Sequence, residues 1–258
     1  MLNTDLFREE FLWFPDASKL QGHQTRLEWD KLSLYQLFVK RLANSGQEMS
    51  DYLQTVSGLI VDSHPLLGFL PSSDESPYQL LMETMVGKFM GSNPRKGYTY
   101  RWIPNHLQDT EGKIVPRSFL KLFSFSAEKR LDKVEELTES LLLKPVDLQA
   151  ALMDVSQDRI RELVQEEYPW IEALKQSLKG NRVPMEKSKL LEILASTPWS
   201  NESDKKPPNS EPEEILQILI QLGILESRLD NRINMPEIYL YGFDVKRPGG
   251  IIRPQLTN

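Results

Sequence analysis

Apolar residues recur at helical spacing through most of the sequence, and the breaks between those runs fall at Pro, Gly and Asn/Asp clusters. Asp30 suits a helix N-cap, and Leu34, Leu37, Phe38 and Leu42 follow on one face, which predicts a helix over 31–44. A short alternating run at Thr25-Arg26-Leu27-Glu28-Trp29 before it reads as a strand, and a second helix is expected over 47–60. His64-Pro65 and Pro71-Ser72-Ser73-Asp74 mark a loop. Ser76-Pro77 then opens a helix expected to run to residue 90. Pro116 starts another, residues 129–142 read as a charged surface helix, and Leu148, Leu152, Val155, Ile160 and Leu163 line a long one over 146–167. Tyr168-Pro169-Trp170 breaks that run, and a short helix over 170–178 ends at Gly180.

Beyond Pro184 the pattern changes. A helix over 185–196 precedes the polar, proline-bearing stretch NESDKKPPNSEPEE, an exposed loop, and a second helix ends at Gly223. Strands over 224–228 and 232–235 flank a tight turn at Asp230-Asn231. Two helices followed by a small hairpin suggest a winged-helix module. The expected fold class is therefore mainly α, with a helical domain over 1–184 and a small winged-helix-like α+β domain over 185–258 that includes an irregular C-terminal extension.

Composition narrows the function classes. The chain has 258 residues, a net charge of −6 and no cysteine, which excludes disulfides, thiolate chemistry and Cys-based zinc sites. The acidic balance argues against general nucleic-acid binding, although a local basic face remains open. No run approaches the ~18 apolar residues of a membrane span, and no secretory signal is visible, so a cytoplasmic location with no membrane partner is expected.

The chemistry-bearing residues are sparse. His23, His64 and His106 are too scattered for a metal site, and no serine sits in a GxSxG elbow. Gly87, Gly91, Gly97 and Gly112 do not form a GxxxxGK[ST] loop, so the sequence offers no cradle of its own for a nucleotide. Glu135-Glu136 and Glu166-Glu167 read as solvated helix faces. Arg117, just after Pro116 at a helix N-terminus, is suited to an anion; Asp109 or Glu111 is its alternative, purely structural partner. Arg95 is a second candidate. Tyr98, Tyr100 and Trp102 alternate, either as a platform for bases on an extended segment or, the favoured reading, as a small core beneath a loop. Arg228, Arg232, Lys246, Arg247 and Arg253 could touch DNA phosphates, but Glu226, Asp230, Glu237 and Asp244 dilute them, and the second helix of the module carries no basic residue.

The order of these pieces resembles the C-terminal half of a group of bacterial P-loop ATPases of the AAA/STAND-like division, some labelled ParA/MinD-like. Asn3-Thr4-Asp5-Leu6-Phe7-Arg8 is similar to the end of their R-x-D-[LIM]-F strand, although Asn3 or Thr4 stands near the place of the strand arginine. Leu27-Glu28-Trp29 and LYQLFVKRL resemble the opening of their helical lid, GYTYRWIPNHL and PRSFL its core, and EEYPWI and INMPEIYLYGFDVKRPGGI its continuation into a terminal winged helix. The resemblance implies a non-catalytic regulatory or interaction portion without Walker A and B motifs: a separate lid subunit, a split-gene product or a truncated frame. It implies no cofactor bound alone, and ATP with magnesium only in complex with a Walker-containing domain or subunit. Arg117 would then take the place of a second-sensor arginine, with Arg95 as a further candidate phosphate sensor acting in trans. A winged-helix DNA-binding or transcription-associated protein, using Arg228, Arg232, Lys246 and Arg247, is the alternative.

Overall fold

A computed structural model describes residues 28–133 and 141–248. The strand expected over 25–29, half of the surface helix over 129–142, the 3–8 segment, His23 and Arg253 lie wholly or partly outside the described residues.

Helix α1 (Lys31–Ala43) starts where its sequence says, because the Asp30 carboxylate accepts a hydrogen bond from the Ser33 amide at 2.7 Å. It buries Leu34, Tyr35, Phe38 and Val39. Helix α2 (Gln47–Gln54) is shorter than expected, because Ile60 to Pro71 form an antiparallel hairpin instead, β1 (Ile60–His64) on β2 (Gly68–Pro71). The His64 ring nitrogen Nδ1 accepts the Leu66 and Leu67 amides, each at 3.2 Å, and Lys40 of α1 donates to the Leu67 and Phe69 carbonyls. These long-range bonds to α1 hold a hairpin whose loop carries no Asn-Gly signal.

Helix α3 (Ser76–Met85) stops before residue 90, because Gly87 takes φ +113, outside the range of a right-handed helix. The segment after it folds back as a closed loop. Phe89 bridges Tyr98, the Met90 amide donates to Gly97 at 2.9 Å, and the Thr99 hydroxyl donates to Gly87 at 2.6 Å. Helix α4 (Thr99–Leu107) follows directly, so Tyr98, Tyr100 and Trp102 do not share one face of an extended segment. At ~100° per residue their rings turn apart. Tyr100 is buried and stacks on Tyr35, with centroids 4.4 Å apart, while Tyr98 is exposed.

Helices α5 (Pro116–Leu131) and α6 (Pro145–Glu162) pack as an antiparallel pair. Lys121 meets Asp158 and Glu162 near one end, and Lys129 meets Asp154 further along. A single π-helical turn, Leu163–Glu167, ends α6, and α7 (Ile171–Leu178) follows. The C-terminal part then runs β3 (Met185–Glu186), α8 (Lys187–Ser196), α9 (Pro212–Gln221), β4 (Glu226–Ser227), β5 (Arg232–Asn234) and α10 (Glu237–Leu240). Strand β5 is central and antiparallel to both neighbours, pairing Ile233 with Met185 and Asn234 with Glu226. Over the described residues the protein is thus mainly helical, with two small antiparallel sheets.

The two parts share one buried core. Helix α10 packs on α6 and α4, and α7 packs on α8. The Gly242 amide donates to the Ser156 hydroxyl at 2.8 Å within the interior, fixing the C-terminal segment to α6. Aromatic side chains dominate the first part of the core: Tyr35, Phe38, Tyr78, Tyr100, Phe119 and Phe123 are all buried.

Burial of these phenols makes stability sensitive to alkali. Burial pushes Tyr78 and Tyr239 up to about 12 and Tyr35 and Tyr100 upward as well. In the unfolded chain they ionise near ~10. Their folded values are raised, so this stabilisation is present below pH ~10 and is lost as pH climbs through about 12. The urea midpoint is expected to fall between pH 9 and pH 11 by more than in a Tyr78→Phe variant; identical falls would show that Tyr78 does not contribute.

Candidate functional site

Arg95, Lys96 and Arg101 reach one surface through two local devices. Asn93 caps a 3-10 turn, Pro94–Lys96, by accepting the Arg95 amide at 3.0 Å, which leaves both basic side chains exposed. The next helix then presents Arg101 and Trp102 beside them. Together with Tyr98, Asn105, His106 and Gln149 these residues line an open groove of about 680 Å³. The Arg101 guanidinium lies 6.0 Å from the centroid of the Tyr98 ring. Trp102 and His106 stack at 4.0 Å and 25°, while His106 Nδ1–H donates to the Trp102 carbonyl at 2.7 Å. On its far edge His106 lies 3.5 Å from Glu237 of α10, so the groove wall leans on the C-terminal part. Among the described residues no carboxylate pairs with Arg95, Lys96 or Arg101, and none lines this groove.

Arg117 sits elsewhere and in a different electrostatic setting. It begins α5 as expected, but its partners are Glu162 at 3.2 Å and Glu166 at 3.4 Å, not Asp109 or Glu111. Asp109 instead accepts the Glu111 and Lys113 amides at 2.9 Å each, and Glu111 pairs with Lys113. Burial nonetheless raises the Asp109 carboxyl above its ordinary value. The hydrogen bond to Glu162, helped by the charges of Glu162 and Glu166, holds the Arg117 guanidinium firmly protonated. Its side chain remains 55% exposed, so these pairs are worth little individually. Glu166-Glu167 is not a plain solvated face. Glu167 is largely buried and meets Arg159 at 3.2 Å, with Tyr239 alongside.

Arg95 and Arg117 do not form one site. Gln149, which shares the groove with Arg95, lies near the start of α6, whereas Glu162 closes its end, ~20 Å away at 1.5 Å per residue.

Comparison with known protein families, with curated proteins and with solved structures finds no match.

Of the four candidate basic residues in the described C-terminal part, Arg232 and Arg247 are engaged. Arg232 donates from Nε to Asp230 at 2.8 Å, and Arg247 donates to the Met235 carbonyl at 3.0 Å. Arg228 and Lys246 are exposed. The first turn of α9 carries Glu213 and Glu214, and Lys187 holds the Glu213 carboxyl below its usual value. Among the described residues no cluster of His, Cys, Asp or Glu could hold a metal ion, and no helix is long and apolar enough to cross a membrane.

Lys96 and Arg101 were not singled out by the sequence. The available signal was the interleaving of basic residues at 95, 96 and 101 with aromatic rings at 98 and 102. Its meaning depends on the loop closing so that Arg95 faces the first turn of α4.

Proposed function

We propose that this chain is a regulatory and interaction portion of a bacterial P-loop ATPase, closing over ATP and magnesium held by a Walker-containing partner domain or subunit. The part beyond Pro184, assigned above to a domain over 185–258, acts as its winged helix, with α7 packed on α8 beside it. The order α7–β3–α8–α9–β4–β5, with β5 between the other two strands, supports that reading. The helical part acts as the lid.

The observation that carries the proposal is Arg117, an exposed guanidinium in the first turn of α5 held, among the described residues, by the carboxylates of Glu162 and Glu166, which it can exchange for a phosphate. Closure is then a population shift, in which nucleotide stabilises the closed arrangement only to the extent that Arg117 prefers phosphate to Glu162 and Glu166. Arg95 borders the groove beside Gln149, ~20 Å along α6 from Glu162, so in this reading Arg117 alone serves as the sensor.

The test is a pull-down of the chain with the product of the neighbouring upstream reading frame, with and without ATP and magnesium. Nucleotide is expected to strengthen binding, and Arg117→Ala to weaken the nucleotide-bound complex about tenfold, equivalent to ~1.4 kcal/mol. Arg161→Ala, which removes another exposed arginine of α6, is expected to leave it unchanged. Binding indifferent to nucleotide, or to Arg117, would sink the proposal. Duplex-DNA binding through Arg228, Arg232, Lys246 and Arg247 is disfavoured by Glu213 and Glu214 on the helix that would enter the major groove, and by the Asp230–Arg232 pair on the wing.

A further inference from the structure

We infer that the groove between the 87–98 loop and α4 binds single-stranded nucleic acid. The inference is independent of Arg117 and of any partner ATPase. Arg95, Lys96 and Arg101 place three cations along one open surface, with no carboxylate paired to them among the described residues. Such cations are what a phosphate backbone requires. Between them stand planar groups, the ring of Tyr98, an exposed residue whose ring is braced by Phe89 at 5.0 Å, and the half-buried Trp102, backed by His106 at 4.0 Å. Stacking on such rings is available to unpaired bases and denied to a duplex, whose base faces are occupied. Asn105 and Gln149 add amide groups able to meet base edges.

The groove is also long. A second hollow of about 370 Å³ adjoins it, sharing Tyr98 and Arg101 and adding Gln79 and Lys88. Among the described residues Glu83 lines this extension and lies 3.5 Å from Lys88, and Glu75 stands against Tyr100 at its margin. A shallow track that runs past a shared tyrosine suits a strand passing through better than an enclosed small molecule. The chain as a whole is acidic, with a net charge of −6, so affinity is confined to this track and is steeply sensitive to salt.

The test uses the full chain and fluorescein-labelled oligo-dT and oligo-rU of about 12 nucleotides, with a duplex of the same length as control. Anisotropy in about 50 mM salt is expected to show saturable binding of the single strands and at least tenfold weaker binding of the duplex. The DNA and RNA arms show whether the 2′-hydroxyl contributes. Contact with three phosphates predicts a log–log salt dependence of about −2. The R95A/K96A/R101A variant, with unchanged far-UV circular dichroism, is expected to lose binding at least tenfold and to flatten that slope. Trp102→Ala and Tyr98→Ala are each expected to weaken binding about 5- to 100-fold, and the second reports on stacking even where the first perturbs folding. R228A/K246A is expected to bind as the parent does. No saturable binding at low salt, binding that survives the triple substitution, a duplex bound as tightly as a single strand, or loss of binding in R228A/K246A would each overturn the inference.

Discussion

Gly242→Val is expected to be among the most damaging single substitutions in this protein. A Cβ at that position would lie 2.3 Å from Cγ1 of Ile160 and 2.5 Å from the Ser156 backbone carbonyl. Neither obstacle can step aside. Ile160 is fully buried in α6, and the Ser156 carbonyl belongs to the helix backbone. The C-terminal segment would have to lift off α6, breaking the bond from the Gly242 amide to the Ser156 hydroxyl and loosening the nearby contacts of Tyr239 and Phe243. Overpacking and backbone displacement of this kind cost roughly 3 kcal/mol or more. For a chain of this size that corresponds to a fall in Tm of about 10 °C. Ser156→Ala, which leaves the buried amide without its acceptor, is expected to cost about 1–3 kcal/mol. Gly46→Ala, with nothing within 4 Å of the added methyl, serves as the tolerated control. Thermal and urea unfolding measure all three, and a Gly242→Val protein as stable as the Gly46 control would show that the segment is not seated on α6.

Phe119→Ala carries the second large effect. Phe119 is fully buried, its ring edge-on to Tyr35 at 5.0 Å and 88° and lying 5.4 Å from Phe123. Removing it opens a cavity between α1 and α5 that these stiff aromatic neighbours cannot fill, at about 3–5 kcal/mol. Phe119→Leu, which keeps most of the volume, is expected to cost less than half as much. The change also bears on the groove. Tyr35 stacks on Tyr100 and donates from its hydroxyl to the Tyr100 carbonyl at 2.7 Å, and Tyr100 sits in the first turn of the helix that carries Arg101 and Trp102. Loosening Tyr35 therefore lets α4 shift. Oligo-dT binding is expected to weaken in Phe119→Ala even below its unfolding range, whereas the R95A/K96A/R101A variant weakens binding with its Tm unchanged. A Phe119→Ala protein with parental Tm would contradict the packing argument.

Local rules carried the helices well where their determinants are local. Asp30 at the cap, Pro116 in a first turn and the apolar stripe of Leu148, Leu152 and Val155 each specify an element through neighbours within a few residues, and α1, α5 and α6 begin where those signals stand. The hairpin over 60–71 escaped, because its support comes from Lys40 of α1 and from Asn44, which caps that helix, more than twenty residues away. The aromatic run at 98–102 was assigned the wrong period. Alternation in so short a stretch fits a strand or a helix flank equally, and the contact between Tyr35 and Tyr100 selects the helix.

The candidate residues divide in the same way. From the sequence alone came the absence of cysteine, the lack of a phosphate-binding loop, the position of Arg117 in a helix's first turn and the mainly helical class. These depend on residue identity and on spacing within one or two turns. Only the tertiary structure decided that Arg117 faces Glu162 and Glu166, that Arg95 and Arg117 lie toward opposite ends of α6, that Arg95, Lys96 and Arg101 share one groove, and that Gly242 is in contact with α6. The partner of a charged side chain and the room around a backbone atom are set by which distant surfaces meet when the core is buried, and no local spacing rule encodes that meeting.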